Sequence, residues 1–222
     1  MGEVQQWDVD LLRRRVLNVV GHELRTPVST LTGLASELES CGDEGRRGEI
    51  TSAVVRSARR LDRLVDDLLL AAGITTVVPV DDREAVDLLD AARAAWAGPA
   101  ATFDDRATAW ARPPAVRRAL AEIVGNAVTY GTAPYTLRAW DESGTAVLEV
   151  GNAGAELAAD DLALATELFY RGERAVTTKP GLGVGLALAR TLLRADGGDV
   201  SLRPRHGGGV VARVELPAPS PS

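Results

Sequence analysis

From Val9 to Leu38 the apolar residues fall at Val9, Leu12, Val16, Val19/Val20, Leu24, Val28, Leu31, Ala35 and Leu38. The steps are mostly three and four, which predicts an amphipathic helix with a heptad-like seam. The pattern returns at Ile50, Val54, Ala58, Leu61, Val65 and Leu68. Between the two series, residues 40–48 are rich in glycine and charge and read as the connection of an antiparallel helical hairpin. Two helices alone cover their apolar stripes poorly. The pattern therefore predicts a homodimer in which two hairpins make a four-helix bundle. Pro27 lies inside the first helix, removes one backbone hydrogen bond and is expected to bend it.

After Ala72-Gly73 the period changes. Thr75–Val80 reads as a short strand, with Pro79 marking an edge. Val86–Trp96 reads as a helix and Ala107–Ala111 as a strand. Pro113-Pro114 opens a helix that runs to about Tyr130. Tyr135–Trp140 and Ala146–Val150 alternate as strands of a hairpin across residues 141–144. Helices follow at about 158–168 and 184–195, then strands near Val200–Arg203 and Val210–Leu216, joined through Gly207-Gly208-Gly209. The sum is an all-α hairpin followed by an α/β sandwich, a mixed sheet with helices on one face. The expected domains are residues 1–73 and 74–217, with a disordered tail at 218–222.

Composition narrows the chemistry. The net charge of −6 argues against nucleic acid as a partner. A single cysteine, Cys41, excludes an intrachain disulfide and fits a reducing compartment. No run of 18 apolar residues is present, so no membrane segment is expected, and the N-terminus lacks the apolar core of a signal peptide. With two histidines and one cysteine, a His/Cys metal site is not expected.

Three groups of residues carry candidate chemistry. His22 flanks the seam of the first helix, beside Glu23 and one turn before Thr26. An imidazole nitrogen with a free lone pair can accept a phosphoryl group. The adjacent carboxylate can hold or take the ring proton, and the Thr26 hydroxyl lies on the same helix face as His22. Second, Glu122 and Asn126 stand at i and i+4, oxygen donors suited to Mg²⁺ beside a triphosphate, with Tyr130 one turn further where its ring can cover an adenine. Third, Gly181, Gly183 and Gly185, followed by Leu186, open a helix whose N–H groups can meet phosphates. No strand precedes these glycines and no Lys-Ser/Thr follows them, which excludes Rossmann and P-loop sites.

His22-Glu-Leu-Arg-Thr-Pro27 resembles the H box of sensor histidine kinases of two-component systems. The later motifs resemble, in order, the boxes of the ATP-binding domain shared by those kinases, gyrase-type ATPases and related chaperones. Asn126-Ala127 with Tyr130 matches the N box, Asn152-Ala-Gly154 falls at the G1 box, Leu168–Gly172 matches the F box, and Gly181–Leu186 matches G2. The resemblance implies a Bergerat-type ATP-binding fold and a kinase that autophosphorylates His22 from ATP, with Glu23 assisting. It implies transfer to an aspartate of a response regulator receiver domain, and a part for Thr26 in phosphatase activity toward that regulator. By the family pattern Asn126 holds Mg²⁺, Tyr130 packs on adenine, and residues between Phe169 and Pro180 form an ATP lid whose cations include Arg171 and Lys179. It also implies a cytoplasmic location, either as part of a membrane-bound sensor or as a soluble kinase.

The chain departs from the pattern in places. Glu122 stands where Asn is usual, Thr129 where Lys is frequent, Asn152 where the base-binding Asp falls, and Glu156 at the second glycine of G1. An Asn carbonyl can accept the adenine hydrogen bond, but without charge, so Asn152→Asp is expected to tighten binding. The alternatives are a histidine phosphotransfer protein with a degenerate ATP domain, or a plain ATPase of the same superfamily using Glu122 as base.

Overall fold

The computed structural model describes residue 21 and residues 24–71, 82–170 and 183–220. The chain divides into two compact units, Met1–Leu69 and Leu70–Ser222.

In the first unit residues 24–40 are helical (α1), and the helix continues through Pro27. The second helix, α2, spans Glu44–Ala71. The connection is therefore only residues 41–43, shorter than the glycines at 45 and 48 suggest. Each glycine inside a helix costs about 1 kcal/mol. The cap offsets this: Asp43 Oδ1 accepts from the Arg46 N–H at 2.7 Å, and its carbonyl accepts from the Arg47 N–H at 3.0 Å. Arg46 Nε also donates to Glu37 of α1 at 3.1 Å, and Arg47 to the Cys41 carbonyl at 2.9 Å, so the turn is tied from both sides. Hydrogen bonding to Glu37 raises the Arg46 pKa above its ordinary value. Ile50 is buried, but the seam residues Val28 and Val65 are 47% and 40% exposed in the single chain.

The second unit runs β1 (Glu84–Asp87), α3 (Leu88–Ala95), β2 (Ala101–Asp104), β3 (Thr108–Ala111), α4 (Pro113–Tyr130), β4 (Thr132–Glu142), β5 (Thr145–Ala153), α5 (Ala159–Leu164), α6 (Gly185–Arg194), β6 (Asp199–Pro204) and β7 (Val210–Pro217). A five-stranded sheet has the order β2-β4-β5-β7-β6, and β1 pairs with β3 in a separate ribbon. β2 runs parallel to β4 and the other pairs are antiparallel, so the sheet is mixed.

Alternation along the strands sorts the two faces. On one lie Leu137, Ala139, Ala146, Leu148, Val150, Val214 and Leu216, all 1% exposed or less, under α3, α4 and α6. The other face carries Arg138, Trp140, Glu142, Glu149 and Arg213 and, among the described residues, no helical layer. Its own side chains cover it. Arg138 and Arg213 sit 5.8 and 5.4 Å from the Trp140 ring, and Val147, the Trp140 partner on β5, is fully buried. Arg213 also bridges Glu142 at 2.6 Å and Glu215 at 2.9 Å, hydrogen bonds that raise its pKa.

Several boundaries differ from the sequence reading. Val86 belongs to a strand, because Val86 pairs with Ala109 and the helix begins only after Asp87, whose Oδ1 caps the Asp90 N–H at 2.9 Å. β2 was not expected from the pattern. The fifth helix ends at Leu164 rather than near 168, since Thr166 turns inward, 7% exposed, onto Arg190 Nη1 at 3.0 Å. Ala218 in the expected tail donates to the Gly144 carbonyl at 2.9 Å. The strand expected at 75–80 lies outside the described residues.

At the far end of α6, Arg190 and Arg194 converge on Asp199 of β6, at 3.1 and 3.0 Å. Burial pushes the Asp199 carboxyl up, but bonds from Arg194, the Val200 N–H and Arg190 together hold it below the ordinary carboxylate range. A depressed folded pKa adds stability above the unfolded value, about pH 4, that is lost as pH falls through the folded one. Asp199→Asn is expected to lower stability at pH 7 by up to about 1 kcal/mol, a mostly exposed pair being screened. The deficit should shrink as pH falls through and below the ordinary carboxylate range; a pH-independent deficit in urea melts would assign the loss to packing instead.

Candidate functional site

The site is built along α4. Pro113 and Pro114 start this helix at positions where no N–H is needed, and it runs unbroken to Tyr130. Its buried side, Val116, Leu120, Ile123, Val124 and Ala127, faces the core. Glu122, Asn126 and Tyr130 follow one another at one-turn intervals along a neighbouring stripe. From Glu122 to Tyr130 the helix rises about 12 Å, the scale of an extended nucleoside triphosphate.

At the Glu122 end, α4 meets the start of α6. Gly185 opens α6, and a Cβ placed there would lie 2.5 Å from Glu122 Oε2. Only a glycine lets the carboxylate come so near. Val184 at the N-cap gives no side-chain cap to the first N–H groups of α6, an end of a helix that favours anions. Glu122 is half-buried and pairs with Arg118 at 3.1 Å. Leu186 and Gly183 are both half-buried.

At the Tyr130 end, α4 meets the end of β5. Tyr130 is 47% exposed. Gly131, which ends the helix, packs so tightly on Asn152 that a Cβ would fall 2.3 Å from Nδ2. Asn152 is 8% exposed, and its Nδ2 donates to the Ala153 carbonyl at 2.8 Å. Gly154 stands next to it, with a Cβ position 3.7 Å from the same nitrogen. Phe169 has φ of 65°, and its N–H donates to the Gly183 carbonyl at 2.9 Å, joining the residues that flank 170–182.

The sequence candidates Glu122, Asn126, Tyr130, Asn152, Gly154, Gly183, Gly185 and Leu186 therefore gather on α4 and the two termini it touches. Thr26 lies on α1 in the first unit and is exposed. His22, Glu23, Arg171, Lys179 and Gly181 lie outside the described residues. Among the described residues no cluster of His, Cys, Asp or Glu forms a metal site by itself. Glu122 and Asn126 offer one carboxylate and one amide, which suits a hydrated cation shared with phosphates rather than a protein-only cage.

Two supports escaped sequence reasoning. One is the β6–β7 turn. Gly209 has φ of 102°, and its Cβ position lies 2.1 Å from the Asn152 carbonyl oxygen; that of Gly208 lies 2.8 Å from the Gly154 carbonyl oxygen. The turn thus backs the 152–154 segment. Three glycines signalled a turn, but not what it touches. Gly209→Ala is expected to cost about 1–3 kcal/mol of stability through strained backbone and to weaken nucleotide binding at least about tenfold. Unchanged affinity in titration calorimetry would separate the turn from the site. The other support is Asp196, 1% exposed, whose Oδ1 accepts from Arg112 Nε at 2.8 Å and Arg83 Nε at 3.1 Å, while Oδ2 accepts from the Arg112 N–H at 3.2 Å. It fixes the residue before α4 to the turn after α6.

Comparison with known proteins defines the class. Residues 12–76 match the His Kinase A phospho-acceptor domain, and residues 111–220 match the domain of histidine kinase-, DNA gyrase B- and HSP90-like ATPases. The two together, in this order, place the chain in the sensor histidine kinase family, as its catalytic core. It is 32% identical over 222 residues to the sensor protein CutS of Streptomyces coelicolor, covering 92% of this chain and 53% of that protein. It is 30% identical to the histidine-protein kinase AfsQ2 of the same organism, covering 94% of this chain and 42% of that protein. The chain thus spans about half the length of the curated relatives it matches. Full-length ShkA, solved in complex with AMPPNP, shares the fold with a TM-score of 0.64 at 24% identity, over 93% of this chain and 46% of that one. No helix among the described residues is long and apolar enough to cross a membrane.

Proposed function

We propose that this chain is the core of an ATP-dependent protein-histidine kinase that phosphorylates His22 and passes the phosphoryl group to an aspartate of a response regulator. The observation that carries the reading is α4, which brings Glu122 against the start of α6 at one end and Tyr130-Gly131 against Asn152 at the other. That spacing accepts a base at Asn152 and phosphates at Gly183 and Gly185. Residues 1–73 form the dimerisation and phosphotransfer domain, 74–217 the ATP-binding domain, and 218–222 a tail.

Asn126, with Glu122, would hold Mg²⁺ through oxygen donors, and the ion would neutralise charge on the β- and γ-phosphates. Phe169 and Gly183, joined by a backbone hydrogen bond, flank the residues that include Arg171, Arg174, Lys179 and Gly181, and these three cations would pair with phosphate oxygens. In the transfer a His22 ring nitrogen bonds to the γ-phosphorus as the bond to the ADP oxygen breaks, and Glu23 holds or takes the proton of the other ring nitrogen. Thr26 orients a water in dephosphorylation of the regulator. The exposed seam residues Val28 and Val65 support a homodimer, whose second copy would cover them. The family context and the reducing-compartment composition support a cytoplasmic location.

Incubating the full chain with γ-labelled ATP and Mg²⁺ tests this. The expected product is protein-bound label, stable in base and labile in acid, the behaviour of a phosphoramidate. ATP binding without label, or no binding, would overturn the kinase.

A further inference from the structure

We infer that Asn152 relaxes discrimination at the C6 position of the purine, so that this chain also uses 6-oxopurine triphosphates as phosphoryl donors. The inference rests on the nucleotide site proposed above and concerns which base enters it.

The Asn152 amide is 8% exposed and has one internal partner. Its Nδ2 donates to the Ala153 carbonyl at 2.8 Å, and Oδ1 has no hydrogen-bond partner among the described residues. A buried acceptor left unpaired is unfavourable, so the site is completed by a ligand that donates to it. An adenine amino group does so. A carboxylate at this position accepts at both oxygens and donates at neither, so it repels the O6 of a 6-oxopurine. The Asn152 amide is neutral and carries both functions. Turned half a revolution about its Cβ–Cγ bond, it presents Nδ2 to O6 and gives up the bond to the Ala153 carbonyl.

The surroundings fix what the turn costs. Gly131 and Gly154 flank the amide as bare backbone, with no side chain beyond Cα, and among the described residues no charged group is bonded to it. The penalty is therefore the loss of one neutral hydrogen bond and an unfavourable oxygen–oxygen approach. That gives a preference for ATP of about 10- to 100-fold. A site that strictly requires one hydrogen-bonding pattern reaches about 10⁴–10⁵-fold.

Inosine triphosphate is the suitable probe, because it differs from ATP at C6 and N1 and lacks the 2-amino group of GTP. The test is calorimetric titration of the full chain with MgATP and MgITP, wild type and Asn152→Asp, together with transfer of label from γ-labelled ITP. The wild type should bind ITP about 10- to 100-fold more weakly than ATP and accept its label, and Asn152→Asp should widen the ratio at least tenfold. A wild-type ratio above about 10³, or the same ratio in both proteins, overturns the inference while leaving ATP binding intact. Failure of the folded wild type to bind ATP overturns the underlying site instead. Should Asn152→Asp unfold the domain, the wild-type ratio alone decides.

Discussion

His22→Gln is expected to abolish the acid-labile label entirely, while MgATP affinity and the urea midpoint stay within error of wild type. Glutamine keeps the size and polarity of the position but offers no lone-pair nitrogen able to attack phosphorus. The substitution falls in the first unit, and the proposed nucleotide residues Glu122, Asn126, Tyr130 and Asn152 are all in the second, so binding and acceptance should separate cleanly. Glu23→Gln should keep the acceptor and lower the labelling rate by about 10²–10⁴-fold if the carboxylate handles the ring proton. These outcomes also divide the alternatives. A plain ATPase using Glu122 would release phosphate equally with Gln at 22. A relay module without ATP binding would show no label in wild type either. Label that persists in His22→Gln would sink the assignment of the acceptor.

Asp196→Ala is expected to destabilise the second unit by about 3–5 kcal/mol, a large part of the stability of an ordinary domain. The carboxylate is 1% exposed and takes three donors, two from Arg112 and one from Arg83. Its removal leaves the Arg112 guanidinium, 15% exposed, and the backbone N–H at the entrance to α4 without acceptors. Asp196→Asn, which keeps the shape and one acceptor oxygen, should cost less. The measurement is the urea midpoint by circular dichroism, with nucleotide affinity below the transition as a second readout. Because α4 carries the proposed site, affinity should fall along with stability. A loss of less than about 1 kcal/mol would show that the two arginines find water instead.

Much of the fold was legible because its signals are local. Pro113-Pro114 and Tyr130-Gly131 bracket α4, and the 3.6-residue period between them is clean. The β4–β5 hairpin announced itself by alternation on both sides of residues 141–144. Where strand and helix patterns run together the reading failed. In Glu84–Ala95 the apolar spacing passes from strand to helix without a break, and the Asp87 cap marks the change. β2 is four residues long and its register partner is the distant, parallel β4, so nothing nearby predicts it. The site divides in the same way. Asn126, Asn152 and Gly185 stood in motifs. Asp196, in contrast, stands in no motif, and its partners Arg83 and Arg112 are 113 and 84 positions away, so nothing local points to it. Gly209 owes its role to the Asn152 carbonyl, a contact that exists only after β5 and β7 have paired.

The strand order has a bearing on how copies of this protein meet. A sheet edge is a template for another strand, and both edges here are poor ones. β2 offers four residues, and β6 closes with Arg203 and Pro204, the latter lacking an N–H. The remaining face is a lattice of arginine, glutamate and tryptophan already paired among themselves. Sheet-to-sheet association and fibre-like stacking between copies are thereby disfavoured, and would stay so at the high local concentration that the proposed dimer would impose on its ATP-binding units. In the proposed dimer, adhesion would fall to the exposed hairpin valines Val28 and Val65.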